Sequence, residues 1–232
     1  MKLILSSCDF RNERSRQVIL DNLPKPLSEC RLLFIPNEKA TSDKVASGKY
    51  HARMAELGFD PALVRVLDYA DSAPSFGLDI DVLYISGGNT FATLDRIRRC
   101  GFDREIVRYI RAGVTYVGGS AGAHMVCGDL AHVARYDTPP EGMTELRGLG
   151  IADLTLICHF THDRQGHMDE LAGENRHPIP LADGDTIIIQ KNRLLPAAKD
   201  FLNLPAGKIS LRRRRNFTAR KRDFTRPTGG FH

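Results

Sequence analysis

Long apolar runs and paired cysteines are both missing from this 232-residue sequence. No stretch of eighteen or more apolar residues occurs, so we expect no membrane-spanning helix. The apolar stretch at residues 3–5 is too short for a secretory signal and is typical of a buried strand. The five cysteines include no CxxC or other close pair, which argues against a disulfide framework and a cysteine-based zinc site. These absences together predict a cytoplasmic protein without a membrane partner.

Excess positive charge is confined to the C-terminal end of the chain. Residues 191–232 hold twelve Lys or Arg and two acidic residues, whereas residues 1–190 hold 21 basic and 26 acidic residues. We therefore expect a globular domain over residues 1–190 and a divergent basic tail over residues 191–232. Three interpretations of the tail stay open: a solvated segment without fixed structure, an ending altered by a change of reading frame, or a site for single-stranded nucleic acid. Nucleic-acid binding by the domain itself is not expected.

Short apolar runs alternate with amphipathic stretches along residues 1–190. Continuous apolar strands separated by helical segments are typical of a parallel sheet that is covered on both faces. We therefore predict an α/β fold, a three-layer sandwich with a mostly parallel central sheet. The predicted strands lie near residues 3–5, 32–35, 64–67, 81–85, 114–117, 154–157 and 186–189, and the predicted helices near residues 11–20, 42–57, 91–99 and 103–111. In such sheets, functional groups gather at the carboxyl ends of the strands.

The pentapeptide Gly118-Gly119-Ser120-Ala121-Gly122 follows one predicted strand and leads into a helix-like segment. This GxSxG pattern, in a strand–turn–helix context, is typical of a nucleophile elbow. The glycines two positions before and after the serine leave room where the strand and helix backbones pass close together. We therefore predict Ser120 as the nucleophile of a serine hydrolase, with backbone N–H groups beside it that face a developing oxyanion.

A second glycine turn, Ser86-Gly87-Gly88-Asn89-Thr90, follows another predicted strand. It matches neither GxGxxG nor a Walker loop, so nucleotide binding is not expected. Two interpretations stay open. Its N–H groups form half of an oxyanion hole while Asn89 binds a substrate backbone, or the segment is a plain turn in which Asn89 or Thr90 caps the next helix.

A serine hydroxyl needs a neighbouring imidazole as base, and the imidazole needs an acceptor that orients it. His159 directly follows the predicted strand at residues 154–157 and so lies at a carboxyl end, as Ser120 does. We predict it as the base. The spacing of His159, His162 and His167 is weak evidence for a metal site, and we expect no metal.

The orienting acid is less clearly marked. Asp137 lies in a Pro-rich loop between Ser120 and His159, which gives the order Ser, Asp, His found in several α/β hydrolases. We predict Asp137 for this role. The rival carboxylates are Asp129, Glu141 and Asp163.

Four segments of the chain resemble the serine peptidases that include dipeptidase E (aspartyl dipeptidase) and, more distantly, cyanophycinase. The segments are Gly87-Gly88-Asn89-Thr90-Phe91, Gly119-Ser120-Ala121-Gly122-Ala123, Asp137-Thr138-Pro139 and His159-Phe160. The resemblance covers about residues 1–190 and implies a fold like that of the class I glutamine amidotransferases (flavodoxin-like). It also implies a triad of Ser120, His159 and Asp137, an oxyanion hole from the N–H groups of Gly88 and Ala121, and no metal or organic cofactor.

The resemblance further implies hydrolysis of small peptides through an acyl-enzyme, with N-terminal aspartyl dipeptides as the expected substrates. The family's substrate-reading arginine has no clear counterpart here; Arg164 and Arg176 are the candidates. Beyond Gln190 the sequence departs from the family's strand-like ending. The alternative functions are hydrolysis of another small ester or amide, and a non-catalytic protein whose tail binds nucleic acid.

Overall fold

The computed structural model describes residues 1–71, 74, 76–77, 79–190 and 193–196. The strands of this part are β1 (Lys2–Ser6), β2 (Leu32–Ile35), β3 (Val64–Val66), β4 (Val82–Ile85), β5 (Thr115–Gly119), β6 (Thr155–Cys158), β7 (Pro178–Leu181), β8 (Thr186–Gln190) and β9 (Arg193–Pro196). Its α-helices are α1 (Glu13–Asn22), α2 (Ser42–Ala46), α3 (Lys49–Leu57), α4 (Thr90–Arg99), α5 (Asp103–Ala112), α6 (Ala121–Met125) and α7 (Gln165–Gly173). None of these helices is long and apolar enough to cross a bilayer.

Seven strands form one sheet in the order β3-β2-β4-β5-β1-β8-β9. The first five are mutually parallel, and β8 and β9 add an antiparallel edge. Strands β6 and β7 form a separate parallel pair. The predicted α/β architecture with a mostly parallel sheet is confirmed.

Helices cover both faces of the large sheet because the strand residues are buried on both sides. In β1, Ile4 packs in one apolar cluster with Ile19 of α1 and Met54 of α3. Its neighbours Leu3 and Leu5 belong to a second cluster, on the opposite face, because successive strand residues alternate. That second cluster also contains buried apolar residues of α4, α5 and α6. The result is the three-layer arrangement that the apolar runs predicted.

Local sequence misled the prediction of three elements. The single helix expected over residues 42–57 is interrupted, because Gly48 adopts a left-handed φ of 73° between α2 and α3. Strand β7 was not predicted, since Pro178 and Pro180 disfavour a strand reading. The helix α7 was not among the predicted helices.

The large sheet continues past the domain boundary expected at Gln190. Strand β9 pairs with β8 from Arg193 to Pro196, so residues 193–196 of the predicted tail form an edge strand of this sheet. The rest of the predicted tail, residues 191–192 and 197–232, lies outside the described residues.

Candidate active site

Ser120 stands at the corner between β5 and α6 with backbone angles of φ 49° and ψ −104°. A positive φ at a non-glycine residue costs about 1–3 kcal/mol and is retained where the surrounding structure fixes the backbone. Here the Ser120 N–H donates to the carbonyl oxygen of Ser6, at the end of β1, at 2.8 Å. The corner therefore has a strained backbone that its neighbours hold in place.

Two glycines of the pentapeptide are required by close packing. A Cβ atom on Gly122 would lie 2.2 Å from the carbonyl oxygen of Ile85 in β4. A Cβ atom on Gly119 would lie 2.3 Å from the carboxylate of Asp9, which is buried beneath the corner. Any side chain at either position would push the corner away from its neighbours.

His159 leaves the end of β6 with a positive φ of 52°. Its N–H donates to Ser7 Oγ at 2.7 Å, so two successive residues, the last of β1 and the one that follows it, anchor the backbones of Ser120 and His159. The imidazole Nε2 lies 2.9 Å from Ser120 Oγ. The structure thus brings the two residues that the sequence singled out within hydrogen-bond distance.

Asp183, and not Asp137, lies behind the imidazole. The distance from His159 Nδ1 to Asp183 Oδ1 is 2.6 Å, and the hydrogen bond lowers the pKa of the Asp183 carboxyl below its ordinary value. The strand register explains this position. Cys158 of β6 pairs with Leu181 of β7, so the residues that follow the two strands emerge side by side.

The prediction that Asp137 orients His159 is therefore corrected. Asp137 Oδ2 instead accepts a hydrogen bond from the Thr90 N–H, at the first turn of α4, at 2.8 Å. Asp137 still lines the cleft, but its loop ends against α4. The rival carboxylates are also placed elsewhere: Asp129 bonds to Ala131 N–H and Arg176, Asp163 to Thr161, and Glu141 is exposed.

The side chain of Asn89 serves the fold. Its Oδ1 accepts a hydrogen bond from the Ala92 N–H at 2.9 Å, and its Nδ2 donates to the Thr138 carbonyl at 2.9 Å. The capping interpretation of Asn89 is therefore the one that the structure shows, and the predicted substrate contact is corrected. Through Thr138, this cap also holds the loop that carries Asp137.

The N–H groups of Gly88 and Ala121 have no acceptor among the residues that the structure describes. Gly88 borders the same cleft as Ser120, and Ala121 follows Ser120 directly. A Cβ atom on Gly88 would lie 2.6 Å from both Asn37 Cβ and Glu38 Oε2, so only glycine fits this turn. Two donors beside the serine are the arrangement that an oxyanion requires.

The cleft over Ser120 has a volume of about 280 Å³ and is bordered by two arginines. Arg11 Nε donates to the carboxylate of Asp9 at 3.1 Å. The guanidinium lies against Gly87, since a Cβ atom added to Gly87 would be 3.0 Å from Arg11 Nη2. Asp9 is buried, so it fixes the guanidinium while the terminal nitrogens have no acceptor among the described residues. A fixed cation with free donors is suited to binding a carboxylate.

Arg164 is the second arginine of the cleft. Its Nη1 donates to the carbonyl of Cys158 at 2.6 Å, and its guanidinium carbon lies 4.0 Å from the centre of the Tyr136 ring. The other candidate, Arg176, instead contacts Thr155 and Asp129. Of the two arginines that the sequence offered, only Arg164 borders the cleft.

Among the residues that the structure describes, His162 and His167 belong to no group of three potential metal ligands. His162 is exposed, and His167 Nδ1 lies 2.8 Å from the Tyr136 hydroxyl. His124 also borders the cleft, but burial lowers its pKa to about 3, so this imidazole is neutral at physiological pH. His159 is thus the histidine that faces Ser120 Oγ.

Sequence reasoning missed Asp183, Asp9 and Arg11. Asp183 carries no motif, and the prolines of β7 concealed the strand that positions it. Asp9 and Arg11 lie in the turn after β1, at the carboxyl end of a predicted strand. That position was the one available signal, because carboxyl ends of parallel strands meet at the functional edge.

Comparison with known proteins places this site in a family. Peptidase E from Streptomyces coelicolor is 27% identical over 175 residues, which cover 70% of this chain and 69% of the relative. An uncharacterized peptidase from Listeria innocua is 34% identical over 84 residues, 35% of this chain and 40% of its own length. A second, from Listeria monocytogenes, is matched over 59% of its length at 28% identity. The chain thus spans about half the length of these two Listeria relatives.

A crystal structure of a candidate Peptidase E protein from Listeria monocytogenes EGD-e shares the fold. The TM-score is 0.62 at 24% sequence identity, and the match covers 84% of this chain and 96% of that one. The sequence model of Peptidase family S51 matches residues 3–195, which include the serine corner, the histidine loop and Asp183. Because this match extends over most of the sequence and over every element that builds the cleft, the chain belongs to Peptidase family S51.

Proposed function

We propose that the protein is a serine peptidase that hydrolyses small peptides through an acyl-enzyme on Ser120. One observation carries the proposal: Ser120 Oγ lies 2.9 Å from His159 Nε2, and Asp183 lies 2.6 Å from the other ring nitrogen. This is the hydrogen-bonded chain of nucleophile, base and orienting acid that acyl transfer uses. Membership of the family supports the same chemistry.

In the first half of the proposed reaction, His159 Nε2 accepts the proton of Ser120 as the hydroxyl oxygen attacks the peptide carbonyl. Asp183 accepts a hydrogen bond from Nδ1–H, which holds the tautomer with a free Nε2 and stabilises the imidazolium. The N–H groups of Gly88 and Ala121 bind the developing oxyanion. The imidazolium then protonates the leaving amine, and in the second half His159 activates a water that hydrolyses the acyl-enzyme.

The positions of Arg11 and Arg164 in the cleft favour a substrate that carries a carboxylate. Arg11 is fixed by the buried Asp9, and Arg164 by the Cys158 carbonyl and the Tyr136 ring. A charge-assisted hydrogen bond to such a group contributes about 1.5–3 kcal/mol. We therefore include N-terminal aspartyl dipeptides among the proposed substrates, with the guanidinium groups as carboxylate ligands.

The five cysteines also bear on the compartment. All five thiols are free in the structure. Free thiols persist in a reducing environment, which supports a cytoplasmic location as part of the proposal.

The test is a panel of four dipeptides, Asp-Leu, Asn-Leu, Leu-Leu and Lys-Leu, incubated with the wild-type protein and with Ser120→Ala. Free leucine is measured by chromatography. We expect the wild-type protein to cleave Asp-Leu faster than the isosteric Asn-Leu, and Ser120→Ala to cleave neither. Equal rates for the two proteins would refute the role of Ser120. Cleavage of p-nitrophenyl acetate but of no dipeptide would indicate an esterase instead.

A further inference from the structure

Three potential metal ligands from distant parts of the chain lie close together, and the imidazole of His159 is one of them. Cys8 follows β1, His159 follows β6 and Asp183 follows β7. The distance from Cys8 Sγ to His159 Nδ1 is 4.0 Å, and the distance from His159 Nδ1 to Asp183 Oδ1 is 2.6 Å. All three ligand atoms lie within 4.8 Å of one another. Cysteine spacing could not reveal this group, because the group contains a single cysteine and its three ligands are brought together only by the fold.

The chemistry and the spacing both suit zinc. Zn²⁺ binds thiolate sulfur at about 2.3 Å and imidazole nitrogen or carboxylate oxygen at about 2.0–2.2 Å, in a tetrahedral arrangement. For a tetrahedral angle, these bond lengths place sulfur and nitrogen about 3.5 Å apart and nitrogen and oxygen about 3.3 Å apart. Cys8 Sγ and His159 Nδ1 would therefore approach by about half an ångström. The Asp183 oxygen would withdraw from Nδ1 by a similar amount, and a water would occupy the fourth position.

The group is reachable from solvent. The side chain of Asp183 is 61% exposed and that of His159 is 38% exposed, so an ion can approach two of the ligands from solvent. Cys8 is partly exposed, whereas Cys30, Cys100, Cys127 and Cys158 are all buried. Cys8 is therefore the cysteine of this chain that an ion in solution reaches first.

We propose that Cys8, His159 and Asp183 bind Zn²⁺, and that the bound ion switches off hydrolysis at Ser120. The second half of this inference rests on the proposed function of His159 as the base. Binding releases the thiol proton of Cys8 and places zinc on Nδ1 in place of its hydrogen. The neutral ring then carries its proton on Nε2, so Nε2 donates a hydrogen bond and no longer accepts the proton of Ser120. Zinc and the reaction therefore compete for one tautomer of one imidazole.

Binding is tested first, without reference to activity, with Co²⁺ as the probe. Full-length Ser120→Ala protein is titrated with Co²⁺ under reducing-agent-free, anaerobic conditions, and thiolate-to-cobalt charge-transfer absorption is recorded in the near ultraviolet. We expect a band that saturates at one ion per chain, disappears when Zn²⁺ is added, and is absent in Cys8→Ser and Cys8→Ala proteins with the Ser120→Ala background. His162→Ala, which alters an exposed histidine nearby, should keep the band. Absence of the band in the parent protein, or its survival in both Cys8 variants, would overturn the site.

Inhibition is tested second, with the wild-type protein and Asp-Leu as substrate. We expect Zn²⁺ to abolish hydrolysis, EDTA to restore it, and the half-inhibiting concentration to rise at least about tenfold in Cys8→Ser, each protein being referred to its own metal-free rate. A cobalt band without zinc inhibition would overturn the regulatory half. A protein that hydrolyses no substrate in the absence of metal would count against the proposed function, while the cobalt result would still decide the metal site.

Discussion

The serine corner and the charged residues around it, Asp9, Arg11, His159 and Asp183, are built differently by the chain. We call these four residues the support. The corner is one continuous segment, in which β5, Ser120 and α6 follow one another within a few residues. The support comes from three distant segments, the turn after β1, the end of β6 and the end of β7. A corner built from one continuous segment can be recognised in the sequence as a motif. A support that strand register assembles from distant segments cannot.

The corner and the support also have different physical requirements. The corner requires absence of side-chain volume, since Gly119 and Gly122 each face an atom less than 2.5 Å from the site of a missing Cβ. The support requires charge at a defined place, as in the contact of Asp183 with His159 and of Asp9 with Arg11. Changes at the two glycines of the corner should therefore lower both stability and rate, whereas Ser120→Ala and changes in the support should mainly lower the rate.

The largest effect is expected for Ser120, the proposed nucleophile. Ser120→Ala should lower kcat for Asp-Leu by at least about 10⁴-fold, because the residual rate comes from binding and the oxyanion donors alone. Its melting temperature should stay close to that of the wild type. Loss of activity by unfolding would show in the melting temperature, and an active Ser120→Ala protein would remove Ser120 from the mechanism.

The second effect concerns volume at the corner. Gly122→Ala should destabilise the protein by about 2–3 kcal/mol, because the new Cβ would meet the Ile85 carbonyl oxygen at 2.2 Å. Gly166→Ala is the matched control, since Gly166 lies in α7 with nothing within 4 Å of the new Cβ; it should stabilise by about 0.5–1 kcal/mol. Urea unfolding measures both. If the two variants have equal stability, the packing account of the corner is wrong.

The third effect concerns charge in the support. Arg11→Met should lower kcat/KM for Asp-Leu by about 10- to 100-fold, the loss of one charge-assisted hydrogen bond. The loss should be smaller for a substrate that lacks the carboxylate bound by Arg11. That substrate is Asn-Leu if Arg11 binds the side-chain carboxylate, and Asp-Leu amide if Arg11 binds the C-terminal carboxylate. Arg111→Met, an exposed arginine at the end of α5, is the control. Equal losses with all three substrates would argue against carboxylate binding by Arg11.

The smallest effect lies far from the cleft and follows pH. The hydrogen bonds from Arg31 hold the pKa of Asp81 well below its ordinary value, with a further contact from Lys25. A depressed carboxyl pKa contributes stability above the ordinary value of about 3.9 and loses it as pH falls through the depressed value. Asp81→Asn should therefore lower the melting temperature at pH 7, and the difference should narrow toward pH 2. Asp153→Asn, at an exposed position, is the control variant and should change the melting temperature at pH 7 only slightly. A constant difference for Asp81→Asn would contradict the linkage.

The sequence predicted the parts that depend on neighbours along the chain. Apolar runs marked seven of the nine described strands, and the GxSxG pattern identified the corner at Ser120. The position of His159 directly after a buried strand marked it as a candidate functional residue. The structure places that strand in the separate β6–β7 pair, so the sequence identified the residue but not the sheet that carries it.

The acid that we propose to orient His159 could not be predicted in this way. Chain order favoured Asp137, which lies between Ser120 and His159, yet the fold uses that carboxylate at the start of α4. The choice of Asp183 depends on β7 pairing in parallel with β6, and a strand that contains Pro178 and Pro180 gives no reliable sequence signal. Register between distant strands is set by tertiary packing, so single-sequence patterns do not determine it.

The exchange of Asp137 for Asp183 gives the most direct test of the account. The measurement is kcat/KM for Asp-Leu, with its pH profile, for Asp183→Asn, Asp183→Glu and Asp137→Asn. We predict a loss of about 10²- to 10⁴-fold for Asp183→Asn, partial recovery in Asp183→Glu, and a loss of less than about tenfold for Asp137→Asn. A larger loss for Asp137→Asn than for Asp183→Asn would contradict the account, because the carboxylate that holds His159 would then be the one that the structure places elsewhere.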